Sequence, residues 1–465
     1  MTKSENPKKV LIIAGEFPPI KTIGRIRTAK FAQHLRNYGW TPIILSIEPT
    51  SDTYDPSLEH EIAPGLQVFR VAKPDLEQSL MQAVKNLLKR KNKNTNTNIN
   101  SANSYVKKSQ THLEQNSSII TLIKEKCLIF FKALLKYVIY FPDDYNLWAI
   151  NAVKAADQIC KEHQISLVYT SLPPFSACHV GYKIKNKHKI PWVVDYRDLW
   201  YGDVLREWIP TFRQQLELLL EKFYMKRADV IISVSGQKTE YLKKLHPSTK
   251  AVWETVTNGY DREIFEPLLA VPRKKDQYIN FVYTGRLFKN RRGYAFAEAL
   301  GQLCLEDASL KNRVRVHILG GVSSEIKARY DEILTSYDIT MTYIFTGDIG
   351  YQQAMEAQVN ADYLLLIVDT GATSDGVIPG KLFEYIASRR PIFALTDPGA
   401  TKDIIEKAKA GVVVPAESTE QCKIKLKSIL QSSPPEKLQV DEDYLQQFDR
   451  RKLSEKLATI FNDCF

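Results

Sequence analysis

The chain has 465 residues and a net charge of +11, with 44% hydrophobic and 25% charged side chains. This length is too great for one ordinary core and predicts two domains, while the composition excludes a disordered or fibrous chain. Six cysteines without paired spacing and the lack of an apolar run of about 18 residues argue against a disulfide scaffold, a zinc motif and a membrane-spanning helix, and favour a cytoplasmic location.

The first half of the chain alternates between buried strands and helices. A strand at 10–14 leads through the loop GEFPPIKTIG into an amphipathic helix over 25–37, which ends at Gly39 before a second strand at 42–46. Further strands are predicted at 67–71, 167–171, 192–195 and 230–234. Strands separated by helices predict a doubly wound parallel sheet, and we assign residues 1–262 to this first domain.

The same alternation starts again in the second half. Strands are predicted at 281–284, 314–319, 343–346, 363–368, 392–395 and 412–414. They predict a second Rossmann-like domain over 278–440, joined to the first by a linker at 258–278. A last helix at about 444–461, within the C-terminal segment 441–465, is predicted to cross back and pack on the first domain.

One segment departs from this alternation and carries most of the positive charge. Residues 85–136 contain eleven Lys or Arg and two Glu, a local balance of +9. The Asn- and Lys-rich part, about 89–117, is predicted to be a loop, without the aromatic pattern of a nucleic-acid site. A helix over about 119–141 would place lysines on one half and apolar residues on the other. It could lie on the anionic inner face of the plasma membrane or pack on the first domain.

The run SDGVIPGKLFEYIASRRPIFAL at 374–395 carries the clearest chemistry. A turn enters a short helix that bears Lys381 and Glu384. The unpaired N–H groups and the positive dipole of a helix N-terminus favour phosphate, and Glu384 could accept hydrogen bonds from sugar hydroxyls. Phosphate beside sugar hydroxyls predicts a nucleotide-sugar. The alternative is an ordinary strand-to-helix connection with a solvated Lys and Glu.

Two places in the first domain are candidates for the acceptor side of a cleft. Gly24 permits close backbone approach where the first helix begins, and Arg25 and Arg27 could reach the cleft. Arg27 could equally be a surface charge. Three charged residues follow a buried strand, where ligands of α/β proteins bind: Asp195, Arg197 and Asp198. Their alternative role is an internal Asp–Arg ion pair that organises the loop.

Taken together, the motifs of the chain resemble the family 4 glycosyltransferases of the GT-B fold, of the bacterial surface-polysaccharide type. The first domain carries EFPPIKTIGRIRTAKFAQHLRNYGW, FPDDYNLW, SLPPF, IPWVVDYRDLW, ISVS and VTNGYDREIF. The second carries YTGRLFKNRRG, ILGG, TGDIGYQQAMEAQVNADYLLL and VIPGKLFEYIASRRPIFAL. The resemblance implies an α/β fold with two Rossmann-like domains facing a central cleft. It also implies a nucleotide-sugar donor on the second domain, a glycan or lipid-linked acceptor on the first, and no metal or other cofactor.

The resemblance also implies roles for residues of the second domain. Glu384 matches the carboxylate that binds the ribose hydroxyls. Arg286, preceded by Gly285, matches the first of two diphosphate-binding cations, and the second is one of Lys289, Arg291 and Arg292.

The chain departs from the family at one position of this domain. Many members carry a second Glu eight residues before the ribose-binding one, where this chain has Gly376. Asp375 could substitute for it. The backbone N–H groups of Gly376, Val377, Ile378 and Gly380 could serve the diphosphate or the sugar.

The resemblance implies transfer with retention at the anomeric carbon. No side-chain nucleophile is evident, so the leaving phosphate would take the proton of the acceptor hydroxyl while the glycosidic bond breaks. The acceptor would be a precursor of a cell-surface polysaccharide or glycolipid. Two alternatives stay open: a non-catalytic binding protein that retains the fold, and an epimerase that acts on the same nucleotide-sugars.

Overall fold

The computed structural model describes residues 8–74, 140–432, 434 and 438–465. The predicted loop at about 89–117 and all but the last two residues of the predicted helix at 119–141 lie outside these residues. Within the described part of the chain, no helix is long and apolar enough to cross a membrane.

The first domain is a parallel sheet of seven strands. The strands are β1 (Lys8–Ala14), β2 (Trp40–Ile47), β3 (Gln67–Val71), β4 (Leu167–Leu172), β5 (Trp192–Tyr196), β6 (Val230–Ser233) and β7 (Val252–Thr255). The helices are α1 (Arg25–His34), α2 (Asn146–His163), α3 (Ala177–His188), α4 (Thr211–Met225) and α5 (Gly236–Leu245). The sheet order is β3-β2-β1-β4-β5-β6-β7. Only β7 was not predicted, because its half-exposed sequence lacks the apolar run that marks the other strands.

The second domain is a parallel sheet of six strands. They are β8 (Ile279–Thr284), β9 (Val314–Leu319), β10 (Tyr343–Gly347), β11 (Tyr363–Ile367), β12 (Ile392–Leu395) and β13 (Gly411–Val414), in the order β10-β9-β8-β11-β12-β13. Its helices are α6 (Arg262–Ala270), α7 (Tyr294–Glu306), α8 (Leu310–Arg313), α9 (Ser324–Ser336), α10 (Tyr351–Asn360), α11 (Lys381–Ala387), α12 (Ala400–Lys407) and α13 (Thr419–Leu430). Helix α6 lies where a plain linker was predicted.

The C-terminal segment returns to the first domain, as predicted. It forms two helices rather than one, α14 (Glu442–Gln446) and α15 (Arg450–Asn462), because the Asp449 side chain caps the second helix and starts a new turn. Apolar side chains of α15 join the core beneath β1, and the rings of Phe461 and Trp40 meet at 5.2 Å. This confirms the predicted class, two parallel-sheet Rossmann-like domains with a helix crossing back.

Candidate active site

The two domains enclose a cleft of about 780 Å³ that side chains of both line. In the first sheet the strand order reverses between β1 and β4, and in the second between β8 and β11. Ligands of such sheets bind beyond the carboxyl ends of the strands at this reversal, because neighbouring loops diverge there and leave a crevice. The loops after β1, β8 and β11 all contribute to the cleft wall.

Glu384 faces the cleft from the first turn of α11. Its Oε1 accepts a hydrogen bond from the Tyr351 hydroxyl at 3.0 Å. Burial raises the pKa of Glu384 above its ordinary value, and the nearby Arg450 and Tyr351 oppose that rise. Because one carboxylate oxygen is fixed by Tyr351, the other can accept hydrogen bonds from a ligand that enters the cleft.

Lys381 begins the same helix and has an unusual environment. Its side chain lines the cleft, yet its Nζ is buried and has no hydrogen-bond partner. The amine lies 4.1 Å from the ring centroid of Tyr283, and a Cβ at Gly285, where φ is +126°, would come within 2.2 Å of it. Burial, and next the charge of Arg291, hold the pKa of Lys381 well below its ordinary value. The buried amine has no hydrogen-bond acceptor, and a bound anion would supply one.

The four basic residues after β8 differ sharply in their surroundings. Arg286 lines the cleft, is largely exposed and pairs loosely with Asp348 at 3.1 Å. Arg291 also lines the cleft, but Asp369 holds it through two hydrogen bonds of 3.1 and 2.6 Å. Arg292 is paired with Glu417 at 2.9 Å, and neither it nor the exposed Lys289 belongs to the cleft wall. The structure therefore brings Arg286, Arg291 and Lys381 together and leaves the other two outside.

Gly376, where the family resemblance implies a glutamate, is a contact between the two domains. Its carbonyl oxygen accepts a hydrogen bond from the Ser235 hydroxyl at 2.8 Å, and a Cβ here would lie 2.9 Å from Lys238 Cγ. A glutamate would therefore collide with α5 in this arrangement.

Asp375 does not replace the missing glutamate. Its Oδ1 accepts the Gly376 N–H at 3.0 Å, and the Val377 N–H donates to the Ser374 carbonyl. Neither Asp375 nor Gly376 lines the cleft, whereas Val377, Ile378 and Gly380 do. The prediction that the Gly376 and Val377 N–H groups serve a ligand is corrected accordingly, since both already have acceptors.

Arg27 lines the cleft, as predicted, and also forms a buried ion pair with Asp195. The guanidinium donates to both carboxylate oxygens at 2.8 Å and also to the carbonyl oxygens of Val256 and Thr257. The Tyr169 hydroxyl adds a third hydrogen bond to the carboxylate. Asp195 is fully buried and is not part of the cleft wall, so the acceptor role predicted for Asp195 is corrected in favour of the internal pair. Its partner is Arg27 of α1, not the neighbouring Arg197.

We expect Arg27→Met to lower the free energy of unfolding by about 3–5 kcal/mol, because it leaves the Asp195 carboxylate buried without its counter-charge. Urea unfolding followed by circular dichroism measures this. The double variant Arg27→Met, Asp195→Leu should recover part of the loss. A loss below about 1 kcal/mol in the single variant would mean that the ion pair between Arg27 and Asp195 contributes little to the stability of the first domain.

The other predicted residues of the first domain also line the cleft, and internal ion pairs hold the two arginines among them. A Cβ at Gly24 would overlap Glu16 Oε2 and Arg197 Nη1, which pair at 3.0 Å, so this glycine makes room for the protein's own ion pair. Arg25 is held by Glu61 at 2.8 Å. Asp198 stands exposed on the cleft wall.

Two cleft residues, Tyr351 and Arg450, were not predicted from the sequence. Tyr351 follows β10, and strand alternation could have placed it at the carboxyl end of the sheet. Arg450 belongs to α15 and donates a hydrogen bond to Asp261 at 2.5 Å. Its charge lowers the pKa of Glu384, which lies 66 positions earlier in the chain. No local pattern marks it, because only the crossing back of α15 brings it to the cleft. No group of three His, Cys, Asp or Glu side chains in the described ranges is arranged to hold a metal ion.

Two family models match the chain. Residues 131–264 match the Glycosyltransferase Family 4 model, and residues 279–432 match the model for Glycosyl transferases group 1. Together they cover more than half of the chain, one in each domain. The chain therefore belongs to the family 4 glycosyltransferases of the GT-B fold and is a transferase enzyme.

Solved structures with the same fold include sucrose-phosphate synthase from Thermosynechococcus elongatus, at 15% identity and a TM-score of 0.63 over 98% of each chain. HepE of Anabaena, in complex with UDP and glucose, has 13% identity and a TM-score of 0.60 over 98% of this chain and all of its own. The lipopolysaccharide outer core galactosyltransferase WaaB has 13% identity and a TM-score of 0.55 over 98% and 99% of the two chains. No curated protein sequence matches.

Proposed function

We propose that the protein transfers a sugar from a nucleoside-diphosphate sugar to an acceptor hydroxyl, with the donor on the second domain and the acceptor on the first. The observation that carries this proposal is the buried Lys381 amine, which has no hydrogen-bond partner. Glu384 and Arg286 line the same cleft. A bound anion would accept the hydrogen bonds that the Lys381 amine lacks. The Glu384 carboxylate, held by Tyr351, can accept hydrogen bonds from the ribose hydroxyls. HepE, which has this fold, binds UDP and UDP-glucose, and this supports the donor class.

The side chains suggest how the reaction is assisted. Arg286 and Lys381 stabilise the negative charge that develops on the leaving diphosphate. Arg291 is already neutralised by Asp369, so it helps to position the diphosphate but adds little to the stabilisation of its charge. The bond from the anomeric carbon to the leaving oxygen breaks as the acceptor oxygen bonds to that carbon. The leaving phosphate takes the acceptor proton, so the transfer occurs on one face with retention. The acceptor is a precursor of a surface polysaccharide or glycolipid, which the fold of WaaB supports.

Thermal unfolding in the presence of UDP-, GDP-, ADP- and CMP-sugars tests the donor class. A ligand that binds only the folded protein raises the midpoint by mass action. We expect one nucleotide to raise it selectively. If none does in a protein shown to be folded, the non-catalytic alternative gains support and the proposed function fails.

Glu384→Ala should remove the preference for ribose hydroxyls. We expect the wild-type protein to bind UDP about 10- to 100-fold more tightly than 2′,3′-dideoxy-UDP, since hydrogen bonds to a charged acceptor are worth about 1.5–3 kcal/mol. In the variant the two affinities should be equal, as measured by calorimetry. If the panel selects another base, its diphosphate replaces UDP. A variant that still discriminates would place the ribose elsewhere.

A further inference from the structure

The first domain exposes an apolar surface close to the cleft. Within 19 positions of the chain, six large hydrophobic side chains are 39% to 69% exposed: Leu205, Trp208, Phe212, Leu216, Leu219 and Phe223. We call these six residues the apolar ridge.

Four members of the ridge lie on α4 at spacings of four, three and four residues, which places them on one face of the helix. The opposite face of α4 is the one that is buried, through Glu217, Leu218, Glu221 and Tyr224. The helix therefore packs on the domain with a partly charged face and shows its most apolar face to the outside. Soluble proteins rarely expose a contiguous apolar surface of this kind unless something binds it.

The position of the ridge relates it to the cleft. Leu205, its first member, lines the cleft together with Val204. From there the ridge continues through Trp208 onto α4. A surface that binds the ridge would thus lie beside the opening through which substrates enter.

Exposed positive charges lie near the C-terminal end of the same helix. Lys222 and Lys226 are exposed near its C-terminal end, and the Arg227 guanidinium lies 3.7 Å from the ring centroid of Phe223. The described chain resumes at Tyr140, which contacts α4. The Tyr140 carbonyl oxygen accepts a hydrogen bond from Arg213 at 2.6 Å.

We propose that the apolar ridge docks the protein onto an anionic lipid bilayer, with the cleft opening next to the membrane surface. Apolar side chains flanked by lysine and arginine are typical of surfaces that bind the interface of an anionic membrane. A second copy of the chain fits less well, because its ridge carries the same exposed cations, whereas an anionic bilayer supplies the opposite charge. The proposal does not depend on the sugar-transfer function.

Vesicle flotation with the full chain tests the docking surface. The variant Leu216→Gln, Leu219→Gln changes two exposed ridge residues. The control variant Leu305→Gln, Met341→Gln changes two residues of the second domain that are even more exposed. With vesicles of phosphatidylglycerol and phosphatidylcholine, we expect the ridge variant to bind at least tenfold more weakly and the control variant to bind like the wild type. Equal binding by the ridge variant would overturn the proposal.

Tryptophan fluorescence gives a second measurement. Trp208 is the exposed one of the six tryptophans, since four are fully buried and Trp253 is half-buried. Vesicles with brominated lipid chains should quench the wild-type emission, and Trp208→Phe should remove most of that quenching. Sedimentation without lipid provides the contrast. A wild-type dimer that the ridge variant separates, with no quenching by brominated lipid, would make the ridge a self-association surface and overturn the membrane proposal.

Discussion

We expect Arg286→Ala to lower kcat by about 10²- to 10³-fold, the usual effect of removing one donor that stabilises charge in a transition state. Arg286 stands at the end of β8 on the cleft wall, and its pair with Asp348 is largely exposed on both sides. An exposed pair contributes little to stability, so the thermal midpoint of the variant should stay at the wild-type value. Turnover is measured as release of the nucleoside diphosphate from the donor selected by thermal shift.

Arg292→Ala is the matched control for this experiment. It removes the same side chain six positions further along the same loop, from a pair with Glu417 outside the cleft wall. Its kcat should stay within about twofold of the wild type, since surface substitutions of this kind have small effects. Equal losses in the two variants would show a general effect of charge on the loop, and near-normal turnover in Arg286→Ala would remove this residue from the reaction.

Lys381→Met has two effects of opposite sign. It should weaken binding of UDP by about 10- to 100-fold, because the bound diphosphate loses a charge-assisted hydrogen bond. It should also leave the free protein as stable as the wild type or more so, since a buried amine without an acceptor is replaced by an apolar side chain of similar length. Calorimetry measures the first effect and thermal unfolding the second.

The exposed Lys289→Met is the control, with no change expected in either quantity. If Lys381→Met keeps wild-type affinity, the amine does not bind the donor. A loss of both affinity and stability would instead mean that Lys381 is a structural residue.

The pH dependence of stability provides a further check on Lys381. Its pKa in the folded protein lies well below 10.5, so between that pKa and 10.5 the unfolded chain binds more protons than the folded one at this site. The wild type should therefore gain stability relative to Lys381→Met as the pH rises towards 10.5. Arg291 lowers this pKa together with burial, while Glu384 and Asp369 raise it. Binding of a diphosphate adds negative charge and should cause proton uptake, which calorimetry in buffers of different ionisation enthalpy detects. A parallel pH dependence in the two proteins would contradict this.

Much of the fold could be predicted from the sequence because it depends on local periodicity. Twelve of the thirteen strands follow from short apolar runs between helical segments, and their number and order predict two parallel sheets. The same reasoning placed Lys381 and Glu384 at the start of a helix after a strand, which is where such sheets hold ligands.

The partners of the charged residues could not be predicted in this way. Arg27 and Asp195 are 168 positions apart, and Arg291 and Asp369 are 78 apart. Whether a cation is neutralised or free depends on which carboxylate the tertiary fold brings to it. For this reason Lys289, Arg291 and Arg292 were equivalent in the sequence and are not equivalent in the structure.

The sequence by itself therefore determined the two domains, the parallel sheets and the segment that carries the candidate donor site, because hydrophobic periodicity and turn residues act over a few positions. Only the tertiary structure decided that the Lys381 amine is left without a partner, that Gly376 is a domain contact and that the apolar ridge faces outward. Burial and pairing depend on all the elements that pack around a side chain, and these come from distant parts of the chain.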